Sequence, residues 1–134
     1  MTPEQIQLVQ SSYIKLNADR RFSALFYDKL FRINPKLRSL FKADMDSQHQ
    51  KLMDTFDFLI GNLHNYTLHL DILRDLARRH AGYGVEAEHY DEVGQALLKA
   101  LDEETNENLT ADVRQAWEEA YQEIADVMIT ACYS

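Results

Sequence analysis

Leu70-Asp71-Ile72-Leu73-Arg74-Asp75-Leu76-Ala77-Arg78-Arg79-His80-Ala81-Gly82-Tyr83-Gly84 is the stretch on which the reading of this chain turns. Leu70, Leu73, Leu76, Ala77 and His80 recur at helical spacing, so a histidine shares the apolar face of an amphipathic helix. A neutral imidazole turned into an apolar space can serve as a metal ligand. The occupant of such a space would be a large, flat, apolar cofactor holding its metal at the ring nitrogen. A lone histidine on a helix face is, taken by itself, more simply a packed structural residue, and the rest of the chain has to decide. Gly82 and Gly84 stop this helix because both accept the left-handed geometry of a terminus.

Outward from this stretch the chain reads as helical, with four glycines and two prolines in 134 residues and no repeat or linker. Thr2, Pro3 and Gln5 predict an N-cap, a first-turn proline and a capping-box partner for a helix to about Asn17. Phe22, Leu25, Phe26, Leu30 and Ile33 form the stripe of a second helix, ended by Asn34-Pro35 because a residue before proline resists helical geometry. Lys42 to Asp46 reads as a loop, and Ser47-Gln48-His49-Gln50 as a capping box for a helix that turns Leu52, Phe56, Leu59, Ile60 and Leu63 inward. The helix ending near His80 follows. From about Glu86, Tyr90, Val93, Leu97, Ala100 and Leu101 predict another helix. Val113, Ala116, Trp117, Ala120, Ile124, Val127, Met128 and Ala131 predict the last, from Thr110. Long helices joined by short loops give an all-α fold, a bundle or a globin-like stack, as one domain over residues 1–134.

Composition removes several function classes. The net charge is −8, from 22 acidic against 14 basic residues, and such a field repels phosphate backbones and anionic lipid. Neither nucleic acid nor a membrane is an expected partner. The single cysteine, Cys132, cannot pair within the chain, no secretory signal or spanning run is visible, and a cytoplasmic location is expected. His64, His69 and His89 form no zinc-binding spacing and are expected at the surface.

The run Leu25-Phe26-Tyr27-Asp28-Lys29-Leu30-Phe31-Arg32-Ile33-Asn34-Pro35 with Leu40-Phe41 resembles the second helix and following corner of bacterial globins. Ser47 to Met53 resembles their distal helix, Arg79-His80 with Tyr83-Gly84-Val85 their proximal helix and corner, and His89 to Gly94 the helix after it. Ala116-Trp117, Ala120-Tyr121 and Ile124-Ala125 resemble their last helix. The similarity runs in order along nearly the whole chain and points to single-domain bacterial haemoglobins related to the globin half of flavohaemoglobins.

That resemblance implies haem b sandwiched between a distal helix over about 47–64 and a proximal helix over about 69–80, with His80 as iron ligand. It implies Phe41 against the haem face, Leu52 over the iron, and Leu76, Val85, Tyr90 and Val93 along the pocket; Arg78 or Arg79, just before His80, is placed to pair the porphyrin carboxylates. Tyr27 and Gln48 would be the distal polar pair. A gas that draws negative charge from ferrous iron is stabilised by donors aimed at it, each worth about 1.5–3 kcal/mol. A one-residue slip in register would put His49 over the iron instead. With Gln48 in that place, His49 is expected to face solvent.

The resemblance also implies what the chain could do. Reversible binding of dioxygen and other diatomic gases, for storage, supply or scavenging, is the first expectation. Nitric oxide dioxygenation is the second, and with a chain ending at Ser134 it would need a separate reductase. A haem-based gas sensor is the third. The sequence departs from the flavohaemoglobin pattern at one place: counting from Trp117, the proximal glutamate's position holds Cys132, which cannot charge or orient His80 as a carboxylate does.

Overall fold

Six α-helices and one 3-10 helix make up a computed structural model that describes residues 1–16, 21–41, 44–105 and 108–133; among these there is no strand. Helix α1 spans Pro3–Leu16 and starts on the reciprocal box read from the sequence. The Thr2 amide donates to the Gln5 side chain at 2.9 Å, and the Gln5 amide donates to Thr2 Oγ1 at 3.1 Å. The predicted end at Asn17 lies outside the described residues. Helix α2 spans Arg21–Ile33 and stops before Asn34, whose extended φ of −143° suits the residue preceding Pro35. The 3-10 helix Pro35–Leu40 carries the chain to Phe41.

Helix α3 spans Met45–Gly61 and α4 spans Tyr66–Gly82, so both start earlier than their sequence spans of about 47–64 and 69–80. Ser47 is not the cap of α3. Asp44 is, its carboxylate accepting from the Ser47 amide at 3.0 Å, and the partly buried Met45 holds the added turn against the core. Asn65 caps α4 through the Leu68 amide, and α4 runs past His80 to Gly82, with Gly84 turning the chain at φ 94°. Helix α5 spans His89–Glu104, three residues later than Glu86 suggests, because residues 86–89 close a turn in which the Glu86 amide donates to His89 Nδ1 at 3.0 Å. Helix α6 spans Ala111–Tyr133, and no described helix is long and apolar enough to cross a membrane.

The packing follows from these stripes. Helix α1 lays Val9 and Tyr13 on Ala116, Trp117 and Ala120 of α6, and the Trp117 indole donates to Ser12 Oγ at 2.8 Å. Helix α2 packs mainly on α5, α4 on α6, and α3 on α1 and α2. Phe22, Leu30, Leu73 and Leu101 are fully buried, each side chain contributing about 1.5–3 kcal/mol of transfer free energy. The core falls into two clusters. One gathers Phe22, Phe26, Tyr27, Leu30, Leu97 and Trp117; the other gathers Leu59, Leu73, Ala77, Tyr90, Ala125 and Met128.

Gly94 fixes how closely α5 and α6 approach. A Cβ there would stand 2.8 Å from the Tyr121 ring, whose hydroxyl is tied to the Tyr90 carbonyl and cannot swing aside freely. Helix propensity favours alanine over glycine by about 1 kcal/mol, whereas overpacking costs about 1–3 kcal/mol. Gly94→Ala is therefore expected to lower the urea midpoint without changing the slope. A midpoint at or above the wild-type value would show that the ring yields.

Candidate functional site

His80 occupies the last turns of α4, where Leu73 and Ala77 bury the same face against α6. Its Nδ1 is within 2.9 Å of the Leu76 carbonyl, and a carbonyl can only accept. The proton therefore sits on Nδ1 and the Nε2 lone pair is left available, with no hydrogen bond from any described residue. Burial lowers the imidazole's proton affinity below the usual histidine value, and the neighbouring Arg79 charge adds to the effect against the opposing pull of the Leu76 carbonyl. A neutral ring with a fixed tautomer and a free Nε2 is the form that binds a metal.

Tyr27 is buried on α2, and its hydroxyl donates to the Gln48 backbone carbonyl at 3.3 Å, longer than the usual span for two oxygens. Desolvation pushes the phenol up to about 12, so it stays a proton donor at any physiological pH. Aromatic neighbours hold the ring. Phe41 meets it edge-on at 5.4 Å, Phe31 stacks at 5.9 Å and Phe26 stands at 5.2 Å. Gln48 lies one turn before Leu52 on α3, and Leu52 is half-buried against the first core cluster, as are Phe41 and Val93.

The candidate pocket residues divide between the two clusters. Phe41, Leu52 and Val93 border the first, while Leu76, Val85 and Tyr90 belong to the second, the cluster on His80's own helix. Leu59 of α3 joins Leu73 and Ala77 of α4; His80 follows Ala77 by one turn, while Gln48 lies toward the opposite end of α3 from Leu59. Apolar walls, one neutral imidazole and two donors fit haem. Among the described residues no group of three or more His, Cys, Asp or Glu could hold a metal ion, so a metal at His80 would have to arrive with ligands of its own.

Several expectations need correction. His49 does not face solvent: it is half-buried, its Nδ1 shares a 2.8 Å hydrogen bond with the fully buried Ser23, and its ring meets Tyr27 edge-on at 5.1 Å. His69 is not a surface residue either, being 8% exposed because the first turn of α4 closes over the junction with α3. His89 is half-buried as the acceptor in the turn before α5, while His64 is exposed as expected. Arg79 is exposed and paired with Asp75 across one turn at 3.3 Å. The Tyr90 hydroxyl is buried with no partner among the described residues, and its phenol is pushed up to about 12, first by burial and then by the nearby Tyr133 and Cys132. Cys132 is half-buried and free, and Glu123 and Asp126 are exposed.

The sequence reading gives Phe56 only as an inward residue of its helix, which the structure bears out, and does not single out Ser23. Phe56 follows Leu52 by four residues, and its ring reaches Phe22 and Phe26 at 6.3 and 6.4 Å; Ser23 precedes Tyr27 by four, and that spacing is the signal each carried.

Burial of His69, alongside that of His80, is expected to contribute acid sensitivity to the fold. Burial lowers the proton affinity of His69 against opposing contributions from the Leu59 carbonyl and Glu123, and its Nε2 has no partner among the described residues. The unfolded chain thus takes up the proton more readily, so this stability is present at neutral pH and is lost as pH falls through the ordinary histidine range. The thermal midpoint of the cofactor-free protein should drop from about pH 7.5 to about pH 5.5, and less so in His69→Asn. Identical pH slopes would remove His69 as the cause.

The globin family profile matches residues 24–128. The flavohemoprotein of Vibrio cholerae is 31% identical over 96% of this chain and 34% of its own length, and that of Rhizobium meliloti is 30% identical over 77% and 26%. The chain thus spans about a quarter to a third of the length of these curated relatives. Among solved structures, a bacterial globin from Campylobacter jejuni superposes with a TM-score of 0.82 at 28% identity, covering 97% of this chain and 95% of that one. An engineered carbene transferase, made from a candidate nitric oxide dioxygenase of Rhodothermus marinus, gives 0.84 at 29% identity over 97% and 92%.

Proposed function

The chain belongs to the globin family, homologous to the globin part of flavohemoproteins, and from that membership we propose that it binds haem b through His80 and reversibly holds dioxygen and other diatomic gases. Haem, when bound, would supply an iron that the His80 imidazole holds and that can bind a gas. The observation that carries this reading is the Nδ1 bond from His80 to the Leu76 carbonyl, which fixes Nε2 as a lone-pair donor before any cofactor arrives.

The chain's own residues supply the rest. Phe41, Leu52, Leu76, Val85, Tyr90 and Val93 present half-buried or buried apolar surface that would cover the porphyrin faces and exclude water. Arg79, already exposed, offers a guanidinium to the cofactor's carboxylates in exchange for Asp75. The Tyr27 hydroxyl and the Gln48 amide would donate to a gas that gathers negative charge, which favours tight and slowly released oxygen.

Nitric oxide dioxygenation with a separate reductase is the second reading, favoured by the likeness to the Rhodothermus marinus protein and by the same two donors. The proximal side argues for binding first: the Tyr90 hydroxyl, without a partner among the described residues, and the half-buried Cys132 provide no carboxylate to strengthen His80. Nitrate formation followed with a supplied reductase separates the two. A stoichiometric burst without sustained turnover is expected, and steady nitrate production over many cycles would replace the binder with an enzyme.

A further inference from the structure

Ser23 and His49 join α2 to α3 at the point where the distal donors lie. Ser23 is 0% exposed, and a hydroxyl in that position is costly unless it is bonded; the His49 Nδ1 at 2.8 Å provides a bond. Ser23 and Tyr27 are four residues apart on α2 and share a face, so the same imidazole that bonds the serine also meets the tyrosine ring, edge-on at 89°. Gln48, the residue before His49, supplies the carbonyl that accepts from the Tyr27 hydroxyl. Ser23 to His49, His49 to Tyr27 and Tyr27 to Gln48 are therefore successive links across one helix crossing. Helix α2 packs far more extensively on α5 than on α3; the ring of Phe56 on Phe22 and Phe26 also joins α2 to α3, about two turns further along α3, so near Gln48 the crossing depends on these polar links.

The Tyr27 to Gln48 bond, at 3.3 Å, is too long to fix the phenol by itself. That weakness suits a donor that must leave the carbonyl for a gas, provided something else keeps α3 at the correct distance. We propose that the Ser23–His49 hydrogen bond is a clamp that positions the Tyr27 hydroxyl and Gln48, and thereby sets selectivity for gases that accept hydrogen bonds over those that do not. His49 is thus a positioning residue and not a ligand. The inference rests on the haem-binding reading and on Tyr27 as a donor.

Oxygen accepts hydrogen bonds strongly and carbon monoxide weakly, so the two gases report the donor's placement separately from general packing. In the haem-loaded protein, Ser23→Ala breaks the bond by removing one buried oxygen atom, and His49→Phe breaks it while keeping an aromatic ring against Tyr27. Each is expected to speed oxygen release by about ten-fold and to leave carbon monoxide release within about two-fold of wild type. The double variant should be no faster than either single one, since both remove the same bond, and Ser23→Thr, which keeps the hydroxyl, should restore slow release. The carbon monoxide stretching band should shift in Ser23→Ala and His49→Phe and return in Ser23→Thr.

Tyr27→Phe measured in the same series distinguishes the two levels of argument. Fast oxygen release in Tyr27→Phe with wild-type release in Ser23→Ala and His49→Phe overturns the clamp and leaves the donor standing. Wild-type release in Tyr27→Phe overturns the donor, and the clamp with it. Equal acceleration of both gases would reduce the pair to packing and also overturn the proposal.

Discussion

Tyr27→Phe is expected to release oxygen about ten to a hundred times faster than the wild-type protein, with haem content and carbon monoxide release close to unchanged. The substitution removes one oxygen atom and keeps the ring, so the contacts with Phe26, Phe31, Phe41 and His49 persist. What disappears is a donor that stays protonated, because burial holds the phenol at about 12. A hydrogen bond to a ligand carrying negative charge is worth about 1.5–3 kcal/mol, and placed on the dissociation step this gives the stated range. The lower end is the more demanding test, since the hydroxyl must first give up its bond to the Gln48 carbonyl. Stopped-flow release into an oxygen scavenger measures the rate. An unchanged rate would remove Tyr27 from the distal pair and leave Gln48 alone there.

The features legible in the sequence are those that a single helix decides. The reciprocal Thr2 and Gln5 bonds, the stop at Asn34-Pro35 and the glycine exit after His80 depend on partners within four residues, and each stands where the pattern puts it. The hydrogen bond that prepares His80 is of the same kind, reaching back one turn to Leu76. The sequence reading places the start of α3 two residues late for a physical reason. Asp44 and Ser47 are both good caps three residues apart, and the burial of Met45 in the core, invisible locally, favours the earlier one.

Contacts between helices were less legible. The burial of His69 depends on how α4 meets α3, and the orientation of His49 depends on where α2 crosses α3. Nothing within four residues of either histidine carries that information. The close approach of Tyr121 to Gly94 was likewise hidden, because a glycine in a helix pattern announces room without naming what fills it. Cys132 was readable as a departure from the family pattern, but the Tyr90 hydroxyl, without a partner among the described residues, emerged only once α5 and α6 were placed together.

His80→Ala has the largest expected effect, the loss of nearly all stable haem. On the proposed reading the two core clusters would meet the cofactor through apolar surface, which can hold a porphyrin weakly, and the group proposed to bind its iron is the Nε2 that the Leu76 carbonyl leaves free. Removing it leaves on the same face of α4 only His69, about three turns away, and neither His49, tied to Ser23, nor the exposed His64 stands in its place. The absorption spectrum of the purified ferric, ferrous and gas-bound protein, recorded for wild type and His80→Ala, is the most direct measurement. Wild type should take up about one equivalent of haemin with the ferrous spectrum of a histidine-ligated haem, and the variant should purify nearly colourless, regaining ligation only with added imidazole. A colourless wild type that refuses haemin, or a His80→Ala protein whose haem keeps the same ligation, would contradict the account.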